Sequence, residues 1–380
     1  MVVNFRELDC KLKAYLNNLA QDDPDFWSFR RNSSRDFVHN YFQYPAMMVP
    51  QMQGVLISAV QHIQPQLSHA IDPFVGSGTT MTEAMMRGME FRGIDVNPLA
   101  VLLCRVKSQI FDYDLLRQQQ ESILFRINSD QNATIDVNFK NLTYWFREDV
   151  ACALSCIRRA ILAENDINVR RFFWVVLAET VRLCSNARTS NYKLYIRTQE
   201  EIRTRRIDPV ATFSKIADGN LKKLKHYTEF LRENNLLNNM SYNKAVNIDL
   251  GDVREIHQNV QDDTTRYDLL VTSPPYGDSK TTVTYGQHSY LPLQWIQLSD
   301  IDPTVNDDYL KSTMEIDTRS LGGSLAGALE KSEYLLDMSA SFRSVLEQLK
   351  NDKADKSKRV AAFCFDLDQA LNPILSLLTL

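Results

Sequence analysis

A glycine-rich turn that joins a short apolar strand to a helix is the feature that most constrains this chain. The turn reads DPFVGSGTT and contains Asp72, Gly76 and Gly78. Glycines let a backbone bend tightly and approach a ligand closely, and the helix that follows presents free N–H groups. A second strand, FRGIDV, and a helix beginning at Asn97 complete a strand-helix-strand unit. The pattern predicts an α/β fold of the doubly wound type, with ligand-binding residues at the carboxyl ends of the strands.

Helical periodicity dominates the middle of the chain, in stretches such as FFWVVLAETVRLC, and strand signals return with AVNIDL and YDLLV. A helical stretch of this length is too long for a simple crossover, so it predicts an inserted domain. Near the end we expect a helix over about 331–350, the solvated stretch NDKADKSK and a strand, RVAAFCFDL. The predicted parts are a helical lead-in over 1–40, core over 41–105, a helical insertion over 106–240 and core over 241–380.

Composition excludes several classes of protein. In 380 residues there are 12 glycines and 12 prolines, and no apolar run reaches the length of a membrane span. The N-terminus lacks the pattern of a signal peptide, so we expect a cytoplasmic protein with no membrane contact. The six cysteines follow no metal-binding spacing, and no metal is expected. The net charge of −4 leaves open a local basic surface for nucleic acid.

An acidic residue follows the second strand. Asp95 lies about twenty residues beyond the glycines, where a carboxylate can accept hydrogen bonds from both hydroxyls of a ribose. The glycine turn lacks the Gly-Lys-Ser/Thr ending of a phosphate-binding loop, so nucleoside binding is favoured. An aspartate that only caps backbone groups remains the alternative.

A second constellation, Thr272-Ser273-Pro274-Pro275-Tyr276-Gly277, follows the apolar run that ends at Val271. Two prolines remove two N–H donors and fix the backbone, so that carbonyl groups can accept hydrogen bonds from a ligand's amino group. The tyrosine that follows can stack on a planar base. A rigid turn whose tyrosine only fills the core is the alternative.

Together with the segment NYFQYPAMMVP, the blocks DPFVGSGTT, GIDVNP and TSPPYG resemble the amino-methyltransferases of nucleic acids. The resemblance is closest to cytosine-N4 DNA methyltransferases of restriction-modification type. It implies a Rossmann-like class I methyltransferase core with a helical insertion, which uses S-adenosylmethionine as the methyl donor. The four blocks cover a minority of the chain and leave the helical insertion unmatched.

The resemblance also implies roles for individual residues. The implied cofactor-binding residues are Tyr44, Pro45, Ala46, Asp72, Phe74, Gly76, Gly78, Thr79, Asp95, Asn97 and Asp252. The implied catalytic residues are Ser273, Pro274, Pro275 and Tyr276. Asp95 would bind the ribose hydroxyls and Asp252 the adenine amino group. Ser273 and the carbonyl of Pro274 would hold the target amino group, and Tyr276 would stack on the base.

A DNA substrate must present its base outside the duplex stack, which requires a basic surface to hold the backbone. The best candidate is segment 182–206, where arginines and a lysine alternate with tyrosines. The predicted DNA-binding residues are Arg182, Arg188, Tyr192, Lys193, Arg197, Arg203, Arg205 and Arg206. A solvated helix face is the alternative. Arg30, Arg31 and Arg35 form a second, weaker patch.

Several interpretations of the target base, the substrate and the protein partners remain. Serine at position 273 favours cytosine, since relatives that act on adenine more often carry an acidic or amide residue there. An RNA enzyme that methylates a guanine amino group in tRNA is a second candidate, and a catalytically silent nucleic-acid-binding subunit is a third, from a different class. A second chain that completes the sheet or supplies target recognition, and a cognate restriction endonuclease, are the further partners considered.

Overall fold

A parallel sheet carries the segments on which the function depends. The structure is a computed structural model that describes residues 5–29, 36–190, 192–255, 266–276, 283–352 and 354–378. Its strands are β1 (His69–Asp72), β2 (Glu90–Asp95), β3 (Leu237–Asn238), β4 (Ser241–Tyr242), β5 (Val246–Leu250) and β6 (Leu269–Leu270). Four of them form a sheet in the order β5-β2-β1-β6, with every pair parallel, and β3 and β4 form a separate antiparallel hairpin. The predicted α/β fold is confirmed.

Helices flank this sheet along the whole described chain. The first ten are α1 (Phe5–Leu19), α2 (Pro50–Ile63), α3 (Thr79–Met85), α4 (Pro98–Ser108), α5 (Tyr113–Ser129), α6 (Leu142–Trp145), α7 (Glu148–Leu162), α8 (Ile167–Cys184), α9 (Gln199–Thr204) and α10 (Pro209–Glu233). Those that follow β6 are α11 (Tyr285–Trp295), α12 (Leu298–Ile301), α13 (Glu315–Arg319), α14 (Ala328–Lys331), α15 (Leu335–Met338), α16 (Ala340–Asp352) and α17 (Ala354–Ser376). In the described ranges, none of the helices has the length and apolar character needed to cross a membrane.

The helices after β1 and β2 begin for local reasons. Gly78 precedes α3 with a φ of +77°, in the left-handed region that glycine adopts most easily. Asn97 caps α4, because its side chain accepts a hydrogen bond from the N–H of Leu99, and Pro98 occupies the first helical position. Both helices therefore start directly at the carboxyl ends of their strands, next to the predicted ligand-binding residues.

One buried apolar cluster joins the sheet to the helices of the chain's middle. It contains Ala70 and Phe91 from the strands together with Trp174 of α8 and Phe213 of α10. Helix α8 packs against α4, α7, α10 and α11. The helices between 106 and 240 thus share a core with the sheet in the structure, and the predicted domain boundaries stay a prediction.

The strand predicted for RVAAFCFDL is wrong, because these residues lie inside helix α17. The buried residues of this helix include Ser357, Ala361, Asp366, Ala370 and Ile374, a spacing of four to five positions that repeats along one helical face. A window of nine apolar-rich residues hid this period. The neighbouring stretch NDKADKSK is helical from position 354 onward, and its residues Asp355, Lys356 and Lys358 are exposed, as expected of a solvated stretch.

Candidate active site

The glycine bend is anchored by the aspartate that ends β1. Asp72 is fully buried, and its Oδ1 accepts a hydrogen bond from the N–H of Phe74 at 3.0 Å. The same oxygen accepts a hydrogen bond from the hydroxyl of Thr272 at 2.7 Å. Burial raises the pKa of Asp72 to about 6, and these hydrogen bonds oppose the rise. Asp72 therefore joins the glycine bend to the segment that follows β6.

Asp95 holds the other side of the bend at the end of β2. Its Oδ2 accepts a hydrogen bond from the N–H of Gly76 at 2.8 Å, and its Oδ1 accepts one from the N–H of Asn97 at 2.8 Å. Burial raises its pKa to about 6, opposed by these backbone donors. Each carboxylate oxygen keeps a further lone pair. The backbone-capping role considered above is therefore present, and it leaves room for ribose hydroxyls.

A buried lysine supports the bend from behind, and no sequence motif points to it. Lys107 of α4 is 1% exposed, and its Nζ donates to the carbonyl of Ser77 at 2.7 Å and to that of His39 at 3.3 Å. On the same helix, the thiol of Cys104 donates to the carbonyl of Gly76 at 3.4 Å. A pattern search cannot find these contacts, because a lysine in an apolar helix looks like a surface residue.

The Ser-Pro-Pro-Tyr corner lies beside the bend because β6 is the neighbour of β1. Their register pairs Ile71 with Leu270, and the N–H of Val271 donates to the carbonyl of Ile71 at 3.2 Å. The Thr272–Asp72 hydrogen bond continues the contact past the strand ends. The two segments therefore meet at neighbouring strand ends and face one cleft.

That cleft is an open cavity between the bend, the corner and the segment before α2. Among the predicted residues, its lining contains Tyr44, Pro45, Ala46, Phe74, Gly76, Thr79, Asp95, Asn97, Asp252, Ser273, Pro275 and Tyr276. Asp72, Gly78 and Pro274 are not part of the lining, and Gly277 falls outside the described residues. Asp72 instead fixes the bend by its hydrogen bonds, and Gly78 allows the turn into α3.

Tyr44 forms the wall opposite the sheet. Its hydroxyl accepts a hydrogen bond from Nδ2 of Asn97 at 2.9 Å, and the same Nδ2 donates to Oγ of Ser289 at 2.8 Å. The ring of Tyr44 lies 5.8 Å from that of Tyr285, which also lines the cavity. Sequence reasoning missed both α11 residues. An aromatic at the start of a helix after the Ser-Pro-Pro-Tyr corner is the signal that could have indicated Tyr285.

Asp252 also lines the cavity and follows β5. Both of its carboxylate oxygens are 2.9 Å from Nε of Arg254, an ion pair that the sequence motifs do not indicate. The N–H of Arg254 also donates to Oδ1 at 2.9 Å, and the carboxylate is therefore fixed in orientation.

The predicted DNA-binding segment includes a hairpin, formed by its described residues between α8 and α9, beside the cavity. Ala187 and Ile196 pair as an antiparallel bridge, and the N–H of Leu194 donates to Gln287 of α11 at 3.1 Å. The ring of Tyr192 contacts His288 of α11 at 5.8 Å between centroids. Because α11 begins at Tyr285, this hairpin packs against the helix that forms one wall of the cavity.

Two arginines of the segment are engaged inside the protein, and their role as phosphate ligands stays a prediction. Arg182 donates from two nitrogens to the carboxylate of Glu179, at 2.9 and 2.6 Å. Arg205 donates to the carbonyls of Ser185 and Leu183. Both guanidinium groups thus satisfy internal acceptors.

The other predicted residues of the segment differ in exposure. Arg203 and Arg206 are exposed, whereas Lys193 and Arg197 are partly buried. Arg188 is exposed and pairs with Glu201 at 2.9 Å, a surface pair that costs little to break. The weaker patch predicted at Arg30, Arg31 and Arg35 falls outside the described residues.

Three curated proteins are similar in sequence. Type II methyltransferase M.MvaI of Kocuria varians is 28% identical over 366 residues, which cover 94% of this chain and 77% of the relative. Type II methyltransferase M.MjaII of Methanocaldococcus jannaschii is 32% identical over 81 residues, 21% of this chain and 15% of the relative. Type II methyltransferase M.BsoBI of Geobacillus stearothermophilus is 31% identical over 93 residues, 23% of this chain and 17% of the relative.

No family model matches the chain, and no solved structure matches it significantly. The match to M.MvaI extends over nearly all of the chain, including the helices that the four sequence blocks leave uncovered. The resemblance to a methyltransferase of restriction-modification type, predicted from those blocks, is therefore confirmed: the chain is similar over most of its length to one type II methyltransferase and over shorter stretches to two others.

Proposed function

We propose that this protein transfers a methyl group from S-adenosylmethionine to the exocyclic amino group of a base in DNA, with cytosine N4 as the target. The observation that carries the proposal is the Thr272–Asp72 hydrogen bond of 2.7 Å, which ties the Ser-Pro-Pro-Tyr corner to the glycine bend above one cavity. A cofactor-binding segment and an amino-group acceptor must be adjacent for direct transfer. The similarity to type II methyltransferases supports DNA as the substrate.

The cavity fits the proposed cofactor. Gly76 has a φ of +51°, which favours glycine and leaves no side chain between the bend and the cavity. The carboxylate of Asp95 is fixed by backbone donors and would bind the ribose hydroxyls, and that of Asp252 is fixed by Arg254 and would bind the adenine amino group. Tyr44, Pro45 and the other predicted lining residues would complete the pocket. When bound, S-adenosylmethionine supplies an electrophilic methyl group.

The residues of the corner would activate the acceptor nitrogen. An amino group conjugated to a base is a poor nucleophile, because its lone pair is delocalised into the ring. The hydroxyl of Ser273 and the carbonyl of Pro274 would accept hydrogen bonds from its two N–H groups. The lone pair of the nitrogen would then be directed out of the ring plane toward the methyl donor. Tyr276 is 63% exposed at the mouth of the cavity and would stack on the base. No protein nucleophile is needed.

Outside the cavity, the hairpin and its flanking helix would hold the DNA. Arg203 and Arg206 are exposed and Arg188 can leave its surface pair, so these three are the proposed phosphate ligands, with Lys193 and Arg197 nearby. Tyr192 is exposed on the same hairpin. We propose the surrounding helices of 106–240 as the region that recognises the target sequence. A second chain and a cognate endonuclease stay predictions.

One experiment tests the target. The protein is incubated with isotopically labelled S-adenosylmethionine and separate pools of duplex DNA and structured RNA, and the modified nucleoside is identified by mass spectrometry. N4-methylcytosine in the DNA pool is expected, since position 273 is serine. Methyladenine would overturn the cytosine assignment, and methylguanine in the RNA pool alone would overturn the DNA assignment. No labelled product in either pool would favour the silent subunit.

A further inference from the structure

A chain of charged side chains runs from the cavity to helix α17. Asp252 lines the cavity, and its carboxylate is held by Nε of Arg254 at 2.9 Å. Nη1 of Arg254 lies 2.8 Å from Oδ1 of Asp366, which belongs to α17. The second oxygen of Asp366 accepts the N–H of Gly322 at 2.8 Å. Asp366 therefore joins the loop after β5 to the loop after α13.

These charged side chains are sufficiently buried for their ion pairs to contribute to the stability of the site. Asp366 is 7% exposed. Hydrogen bonds from Arg254 to Asp252 raise the pKa of the guanidinium, and the carboxylate of Asp366 adds to the rise. Removing one member of a buried ion pair leaves the other charge without compensation, which is more costly than the loss of a surface pair. Arg254 is thus held between two carboxylates.

The same helix supports the apolar wall at this end of the cavity. Val253 and Leu321 both line the cavity and belong to a buried cluster that contains Ala370 and Ile374 of α17. The carbonyl of Arg319, another lining residue, lies 3.4 Å from Nη2 of Arg254 as a hydrogen-bond acceptor. The polar and apolar walls at the Asp252 end therefore both rest on α17.

We propose that Asp366 is a positioning residue for the adenine end of the cofactor site. It holds Arg254 and the loop at Gly322, so that the carboxylate of Asp252 and the apolar wall keep the orientation that binds adenine. Asp366 does not line the cavity and acts through these two partners. The inference rests on the proposed function, in which the cavity takes S-adenosylmethionine with its adenine beside Asp252.

Asp366→Asn tests the proposal, because asparagine keeps the size of the side chain and one acceptor oxygen but loses the charge. The dissociation constants of S-adenosylmethionine and of adenosine, measured by titration calorimetry, should both rise about tenfold, in line with the loss of a charge-assisted hydrogen bond. The kcat at saturating cofactor and the KM for DNA should not change. Asp368→Asn is the matched control, since Asp368 lies on the same helix and accepts from Asn372 at 3.0 Å instead.

A second variant separates positioning from general stability. Asp366→Asn is also made in an Arg254→Met background, where it should add no further loss of adenosine affinity if it acts through Arg254. Additive losses would overturn that route. If Asp366→Asn fails to fold, Arg254→Lys disrupts the same ion pairs at their central residue, because an ammonium group cannot make the same paired contacts to two carboxylates. It should show the same selective loss of adenosine binding.

The outcomes distinguish the positioning role of Asp366 from the proposed function. A folded Asp366→Asn variant that binds adenosine as tightly as the unaltered protein would refute the positioning role while leaving the proposed function intact. An unaltered protein that binds neither adenosine nor S-adenosylmethionine would refute the proposed function itself. A loss in kcat or DNA affinity without a change in adenosine binding would place the effect of Asp366 elsewhere.

Discussion

The two sides of the cavity, which we propose bind the cofactor and the target base, differ in how firmly the protein holds their residues. On the cofactor side, Asp95 accepts two backbone hydrogen bonds of 2.8 Å, and Tyr44 is 3% exposed with its hydroxyl bonded to Asn97. On the target side, Tyr276 is 63% exposed at the mouth. The cofactor side is preorganised, and the target side is open.

This difference matches two kinds of ligand. A small cofactor gains affinity when its site needs no rearrangement, because less conformational entropy is lost on binding. A base attached to a polymer has to enter from outside, so its site needs an open mouth and a flat surface on which the base can stack. Substitutions on the cofactor side should therefore change cofactor affinity, and substitutions on the target side should change transfer or DNA binding alone.

The largest effect is expected for Asp95→Ala. The change removes the acceptor for two backbone N–H groups and for the ribose hydroxyls, so the dissociation constant of S-adenosylmethionine should rise about a hundredfold. Titration calorimetry measures it. Asp249→Ala is the control, since Asp249 lies near the end of β5 and pairs with Arg92 outside the cavity. An unchanged affinity would mean that Asp95 only caps the bend.

Asp72→Asn tests whether the buried carboxyl group of Asp72 makes the stability of the protein depend on pH. Burial raises the pKa of Asp72 to about 6 in the folded protein, above the value near 4 expected when unfolded. The folded state therefore binds the extra proton, and the stability contributed in this way is present at pH 4 and is lost as the pH rises through 6. Asparagine has no such dependence.

The free energy of unfolding, measured by denaturant titration, should therefore shift in favour of Asp72→Asn by about 2 kcal/mol between pH 4 and pH 7, relative to the unaltered protein. The matched control is Asp268→Asn, which changes a carboxylate at the opposite end of the β1–β6 pair, bonded to the N–H of Ser68. A difference that stays constant with pH would show that Asp72 titrates normally.

On the target side, Tyr276→Ala should reduce the single-turnover rate of methyl transfer about tenfold, because one stacking contact with the base is lost. Cofactor affinity should stay the same, since the bend and Asp95 are untouched. Tyr276→Phe keeps the ring and should retain most of the rate. Equal rates for the alanine variant and the unaltered protein would remove the stacking role and leave Tyr276 as a turn residue.

The smallest effect is expected from the exposed arginines. The double substitution Arg203→Ala and Arg206→Ala should weaken DNA binding severalfold and reduce the salt dependence of that binding by about two ion equivalents, without altering cofactor affinity. Fluorescence anisotropy at several salt concentrations measures both. Lys11→Ala, which changes an exposed lysine of α1 paired with Glu7 and lies outside the proposed recognition region, is the control. An unchanged salt slope would place the DNA on another surface.

Local patterns were sufficient for the four strands of the parallel sheet, the bend and the corner. Asp72, Gly76 and Gly78 form a bend because adjacent residues decide turn geometry, and the parallel order of β1 and β6 then brings Thr272 to Asp72 across 200 positions. The helix α17 was read as a strand, because its burial repeats over a longer stretch than the nine residues that suggested the strand. Periodicity needs several turns before it separates the two structures.

The positions of charges could be read from the sequence, but their partners could not. Arg182 and Arg205 look like DNA ligands in a basic segment, yet they satisfy Glu179 and backbone carbonyls inside the protein. Lys107, Tyr285 and Asp366 belong to no motif and still support the bend, the cavity wall and Arg254.

By itself, then, the sequence determined the α/β class, the glycine bend and the Ser-Pro-Pro-Tyr corner, because each depends on contiguous residues with restricted backbone geometry. Only the tertiary structure decided which side chains face the cavity, which are paired behind it and which remain free for a polymer. Those properties arise from contacts between residues far apart in the chain, where burial and ion pairing depend on the folded arrangement and leave no local pattern.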